Sequence, residues 1–145
     1  MQFEKSSLSY LKKLKKNNNR DWFSENKPTF IEAQNNAKKL YAEIRNNLEE
    51  HDDIEKFKLF RIYRDVRFSK DKTPYKQYFG GKFTRSSKFR RGGYYYHLEP
   101  GNSFVTAAFW GPNKEDLAWI RSHLAMDATA LENIVNDPVF KKEFG

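Results

Sequence analysis

Between Arg61 and Lys76 the chain reads Arg-Ile-Tyr-Arg-Asp-Val-Arg-Phe-Ser-Lys-Asp-Lys-Thr-Pro-Tyr-Lys, and six of these side chains are cationic. Arg64 and Arg67 stand three apart, and each guanidinium offers a rigid fork of donors suited to carboxylate or phosphate. Lys72, Tyr75 and Lys76 add donors around the stiff Thr73-Pro74 bond, and Arg61 adds another charge. Asp65 and Asp71 fit two roles: they orient the arginines toward a ligand, or they neutralise them in a buried structural network. Further along, His97 and Glu99 are the acid or base candidates. Two apart on a strand, they share a face with Tyr95 and can act together on a bound group. The competing reading makes His97 a half-buried sheet residue hydrogen-bonded to a neighbour.

Three functions are consistent with these residues. In a binding module, Arg61, Arg64, Arg67, Lys72, Lys76 and an Arg90-Arg91 loop form a basic groove for an anionic or phosphate-bearing ligand, nucleic acid included. In an enzyme acting on an anionic substrate, Arg64 and Arg67 position the anion, His97 or Glu99 transfers a proton, and Lys72 stabilises developing charge. In a structural reading the same residues form a polar network that shapes the fold and takes no ligand. The loop from Ser69 to Lys76 is expected to be ordered, to border the largest polar concavity, and to be tied by Asp71 and Thr73 through side-chain to backbone hydrogen bonds.

The distribution of charge supports a polyanion or phosphate partner. Residues 1 to 55 carry 10 basic and 10 acidic side chains, residues 56 to 91 carry 13 and 2, and residues 92 to 145 carry 4 and 7. The middle segment alone exceeds the net +8 of the whole chain, although long cations also serve as solubilising cover. With 145 residues, 17% aromatic content and no Cys, the expectation is one globular α+β domain over residues 1 to 145 in a reduced, cytoplasmic compartment. Absence of Cys removes disulfides, thiolate zinc sites and thiol nucleophiles. No His pair at metal-ligand spacing, no Walker or dinucleotide glycine pattern and no nucleophile elbow occurs, so no metal and no cofactor is expected. No apolar run approaches a membrane span. The sequence carries no signal for oligomeric state.

The elements that must position these residues follow from periodicity. Ser6 or Ser7 can cap a first helix with Leu8, Leu11 and Leu14 on one side, ended by Asn17-Asn18-Asn19. Asn19 caps a turn bearing Trp22 and Phe23, and Pro28 opens a longer helix to about Glu50. A strand is expected at Leu59 to Arg64, a loop at Lys70 to Lys76, a second strand at Phe79 to Thr84 weakened by Gly80-Gly81, and a mobile connection at Arg85 to Gly93. Tyr94 to Glu99 and Ser103 to Trp110 read as a hairpin about a Pro100-Gly101 type II turn, with Tyr94, Tyr96 and Leu98 on one face and Tyr95, His97 and Glu99 on the other. Asn113 caps a further helix with Leu117, Ile120 and Leu124. Asp127 caps another with Leu131, Ile134 and Val135, and Asp137-Pro138 begins a turn. The order predicts N-terminal helices, a central mainly antiparallel sheet, and C-terminal helices packed on one face. Val139-Phe140 opens an element close to Gly145, as in a domain truncated at its C-terminus.

The string Arg-Asp-Val-Arg-Phe-Ser-Lys-Asp-Lys-Thr-Pro-Tyr-Lys, together with Gly93-Tyr94-Tyr95-Tyr96-His97-Leu98-Glu99-Pro100-Gly101, resembles the bacterial and fungal family known as domain of unknown function 2461. The opening from Leu11 to Lys27, including Asn18-Asn19-Arg20-Asp21-Trp22-Phe23, and the Ile120-Arg121 helix look like it too. The resemblance implies a chain that continues beyond residue 145, and it supplies no reaction.

Overall fold

A computed structural model describes residues 3–86 and 92–145. Contacts divide the chain into two compact units, residues 1–109 and 110–145. The first holds α1 (Lys5–Lys16), α2 (Arg20–Glu25), α3 (Lys27–Glu49), β1 (Ile54–Leu59), β2 (Phe79–Arg85), β3 (Gly93–Leu98) and β4 (Phe104–Ala108). The second holds α4 (Lys114–Met126), α5 (Thr129–Asn136) and α6 (Pro138–Phe144). Among the described residues no helix is long and apolar enough to cross a membrane.

Local chemistry sets most boundaries. The Asn19 side chain accepts from the Trp22 N–H at the start of α2, and Pro28 occupies the first turn of α3, where its missing donor costs nothing. Helix α1 differs from expectation: it begins at Lys5, with Glu4 rather than a serine at its cap. Ser7 is buried inside the helix, and the Ser6 hydroxyl bonds the Glu4 carboxylate. In the second unit, Asn113 and Asp116 form a reciprocal capping box on α4, and the Asp137 carboxylate accepts from the first N–H groups of α6. Asp127 accepts from Thr129 at the head of α5.

The strands form an antiparallel meander in the order β1-β2-β3-β4. The hairpin between β3 and β4 turns at Pro100-Gly101, where the Asn102 N–H donates to the Glu99 carbonyl and Gly101 adopts a φ of +81°, the geometry of a type II turn. One strand lies elsewhere than expected. β1 covers Ile54–Leu59, and Phe60 makes the last bond to β2, through the Gly80 carbonyl. Residues 62–64 instead run antiparallel to 74–76, through a Tyr63–Tyr75 bridge, Arg64 N–H to Pro74 carbonyl at 2.9 Å and Lys76 N–H to Ile62 carbonyl at 2.7 Å. The reason is burial: Ile62 and Tyr75 join the helical core of Tyr10, Leu11, Leu14, Phe23, Phe30 and Phe79, so the segment must leave the sheet to deliver them. The Arg90-Arg91 loop lies outside the described residues.

Helix α3 packs on the sheet face that carries Phe83, Tyr94, Tyr96 and Leu98, through Tyr41, Ile44 and Leu48. Tyr41 stacks on Phe83 at 4.4 Å, and its hydroxyl accepts from the Lys58 N–H and donates to the Lys82 carbonyl, so one side chain pins β1 and β2. Gly81 makes room for it. A Cβ there would lie 2.5 Å from the Tyr41 ring and 2.9 Å from the Lys58 carbonyl oxygen. Gly81→Ala is therefore expected to cost about 1–3 kcal/mol through overpacking, read as a lowered midpoint in urea. An unchanged midpoint would show that the Tyr41 wedge yields freely.

Candidate functional site

The short ribbon of residues 62–64 and 74–76 holds the cationic loop by its base. The Asn18 side-chain amide closes on the Tyr75 backbone from both sides, donating to its carbonyl at 2.9 Å and accepting from its N–H at 3.1 Å. The Tyr75 ring stacks on Phe23 at 4.0 Å. Above this base, Arg64 gathers the loop. One terminal nitrogen donates to the Asp71 carboxylate, to the Thr73 carbonyl at 3.1 Å and to the Thr73 hydroxyl, and the other reaches Ser69 Oγ at 3.5 Å. The Asp71 carboxylate in turn accepts from the Thr73 N–H at 2.9 Å and from its hydroxyl at 3.0 Å. That backbone bond, followed by the Arg64 guanidinium, holds the Asp71 carboxyl down at about 2.

The loop borders a cavity of about 420 Å³ lined by Arg64, Asp71, Tyr75, Lys76, Gln77, Tyr78, His97, Glu99 and Asn102. Its volume lies in the range of small-molecule sites. Lys76 donates to the Arg61 carbonyl at 2.9 Å, and its ammonium lies over the rings of Phe60 and Tyr78. Burial, then the neighbouring Arg61 and Lys58 charges, lowers its pKa below the usual lysine value. Also on the lining, His97 is buried between Tyr78, at 4.1 Å, and Phe104, stacked at 4.9 Å. Its Nε2 contacts Glu99 at 3.1 Å and its Nδ1 contacts the Tyr95 hydroxyl at 2.9 Å. The His97 hydrogen bond holds the Glu99 carboxyl below the usual carboxylate range. An ionised Glu99 can only accept, so Nε2 carries a proton. In the neutral imidazole the Tyr95 hydroxyl then donates to Nδ1, and burial, which raises the Tyr95 pKa, keeps that phenol protonated. Lys15 of α1 approaches Glu99 at 3.7 Å, and Asn102 donates to it at 3.3 Å.

Of the residues singled out by type and spacing, Arg64, Asp71, Tyr75, Lys76, His97 and Glu99 meet at this one cavity. Arg61, Asp65, Arg67 and Lys72 do not line it. Asp65 and Arg67 pair with each other on the surface, with side chains 62% and 77% exposed, so theirs is not a buried ion pair but one of the weak, solvent-screened kind. The Lys72 ammonium is turned back onto the Val66 and Arg67 carbonyls. Tyr75 is 5% exposed, which makes it first a core residue and only at its edge a wall of the cavity. Three lining residues escaped sequence reasoning: Gln77, Tyr78 and Asn102. The Pro100-Gly101 turn already placed Asn102 beside Glu99, and Tyr78, next to the strand residue Phe79, was legible as an aromatic at a strand end. Among the described residues no group of His, Asp and Glu could hold a metal ion.

A family model described as conserved hypothetical protein (DUF2461) matches residues 6–145. No curated protein and no solved structure matches. The match covers both the helical base and the cationic loop that build the cavity, and the chain belongs to the DUF2461 family.

Proposed function

We propose that the cavity binds a small anion of the phosphate or carboxylate type, with Arg64 and Lys76 as its cationic wall. The observation that carries this reading is the meeting of a tethered guanidinium and a half-buried ammonium on one polar cavity. Arg64 holds the loop through both terminal nitrogens, the second only by a long 3.5 Å contact to Ser69, and its five N–H groups still leave donors for a ligand. Lys76 has its positive charge disfavoured by burial and by Arg61 and Lys58, a cost that a bound anion would relieve. Compared with the groove of seven cations read from the sequence, this is a compact site of two cations whose lining also holds the carboxylates of Asp71 and Glu99.

Titration with inorganic phosphate, pyrophosphate and citrate, followed by calorimetry and by backbone amide shifts, tests it. Saturable shifts at Lys76, Gln77 and Tyr78 are expected, and Lys76→Met is expected to weaken binding about tenfold or more, as for loss of a hydrogen bond to a charged group. Affinity is also expected to fall as pH rises through the lowered Lys76 pKa, because the neutral amine attracts no anion. Absence of saturable binding by all three anions at low salt would reject the reading.

The Tyr95–His97–Glu99 chain of hydrogen bonds favours a second reading, proton transfer to or from the bound anion. His97→Gln separates the two: a pure binding module keeps its anion affinity and loses nothing else, whereas an enzyme keeps affinity and loses turnover of any substrate found.

A further inference from the structure

The sheet face away from α3 carries a composition unlike a simple solvated surface. Register places Lys58, Lys82, Tyr95 and Thr106 in one row across the four strands, and His97 beside Phe104 in the next. Rings link the two rows. Phe60 lies 6.1 Å from Tyr95, Tyr95 lies 5.8 Å from Phe104, Phe104 stacks on His97, and His97 meets Tyr78. Gly80, between them, lets the Tyr78 ring and the Tyr95 hydroxyl lie against the backbone, since a Cβ there would come within 3.2 Å of both. Lys56, Lys58 and Lys82 are exposed, and Phe104 is 44% exposed. Lys76 stands at the end of the strip, over Phe60 and Tyr78, where the strip meets the cavity.

We infer that this face binds single-stranded nucleic acid, bases resting on the Phe60–Tyr95–Phe104 strip and phosphates running along Lys58, Lys82 and Lys76. Charge complementarity selects the occupant. A protein surface offering Lys58 and Lys82 exposed side by side, with Lys76 at the end of the strip, wants a polyanion, and the adjoining rings add a preference for one with flat, exposed π faces. Duplex DNA lacks those faces, and a polyphosphate lacks bases altogether. The width of the strip, spanning β1 to β4, suits several successive nucleotides rather than a lone mononucleotide. The inference extends the anion site onto the surface beside it: of the residues proposed to hold bases and phosphates only Lys76 belongs to both, while Tyr78 and His97 join the strip to the cavity lining.

Fluorescence anisotropy with labelled oligothymidylate and oligouridylate, against a duplex of equal length and unlabelled polyphosphate as competitor, tests it. Both single strands are expected to bind more tightly than the duplex. The logarithm of affinity should fall with the logarithm of salt at a slope of about −2, as for three neutralised phosphates on a single strand. Phe104→Ala is expected to weaken binding about tenfold through lost stacking, and Lys82→Gln to make the slope shallower by about 0.7. Both side chains are exposed, and far-ultraviolet circular dichroism of each variant confirms folding. No single-strand binding at low salt overturns the inference, as does duplex or polyphosphate binding of equal strength with Phe104→Ala unchanged. The two sites fail separately. Phosphate binding at Lys76 without oligonucleotide binding removes only the nucleic-acid face, and oligonucleotide binding that depends on Phe104 and Lys82 without phosphate binding removes only the cavity.

Discussion

Phe23→Ala is expected to produce the largest loss of stability of any single change near the site, about 3–5 kcal/mol. Phe23 is 3% exposed and meets three other rings: Tyr75 stacked at 4.0 Å, Phe30 at 5.0 Å and Tyr63 at 5.9 Å. It is the only residue of α2 that is fully buried, so truncation leaves that short helix without its anchor. The void opens among stiff rings that collapse poorly, which puts the cost toward the upper end of its range. For a domain of this size that is a fall in Tm on the order of 10–20 °C, a large part of a stability that rarely exceeds about 15 kcal/mol. Phe68→Ala is the control. Phe68 is 96% exposed, and its removal is expected to leave Tm unchanged. Scanning calorimetry of the two variants decides the matter: equal, small shifts would mean that the ribbon is held by its backbone bonds and Asn18 rather than by ring packing.

The same residues show what the sequence reveals and what it hides. Helix α3 was legible because Phe30, Ile31, Ala37, Leu40, Tyr41, Ile44 and Leu48 recur at three and four residues; Phe30, Ala37, Tyr41, Ile44 and Leu48 do turn toward the core or sheet, whereas Ile31 is 46% exposed. The hairpin was legible because Pro-Gly imposes a turn, and alternation then fixes which side chains share a face; Tyr95, His97 and Glu99 do hydrogen-bond in a row. Misplacement of β1 has a plain cause. Leu59 to Arg64 has the residue types of a strand, but nothing local says that Ile62 will be claimed by a helical core whose residues, Tyr10 to Ala37, lie 25 to 52 positions earlier in the chain. Pairing partners of charged residues are equally nonlocal. Arg64 and Arg67 look equivalent, yet Arg64 reaches Asp71 and Thr73 across the ribbon while Arg67 folds back on its near neighbour Asp65. Spacing alone cannot separate those two outcomes, because both satisfy a guanidinium fork.

Arg64→Lys is expected to be nearly as damaging to the site as Arg64→Ala, and this distinguishes a positioning fork from a mere positive charge. Lysine keeps the charge beside Asp71, but its single ammonium cannot bond Asp71, Thr73 and Ser69 at once from the same stem. The arginine side chain is 26% exposed, so its hydrogen bonds are only partly screened, and losing their geometry is expected to cost about 1.5–3 kcal/mol of loop order. Three readouts should move together in both variants. Amide exchange at Thr73 and Tyr75 should speed up, phosphate affinity should fall about tenfold or more, and the Asp71 carboxyl should rise from about 2 toward its ordinary value. It should not return fully, because the Thr73 N–H, the stronger influence on it, remains. The sign follows from linkage. A carboxyl whose folded pKa is depressed contributes its stabilisation above the unfolded value near 3.8 and loses it as pH falls through about 2. In the variants that acid-side window narrows and the loop should open at a higher pH, visible as carboxyl and amide shifts in an acid titration. Arg64→Lys with unchanged phosphate affinity and an unmoved Asp71 titration would show that charge alone serves at this position, and the tethered guanidinium would lose its place in the site.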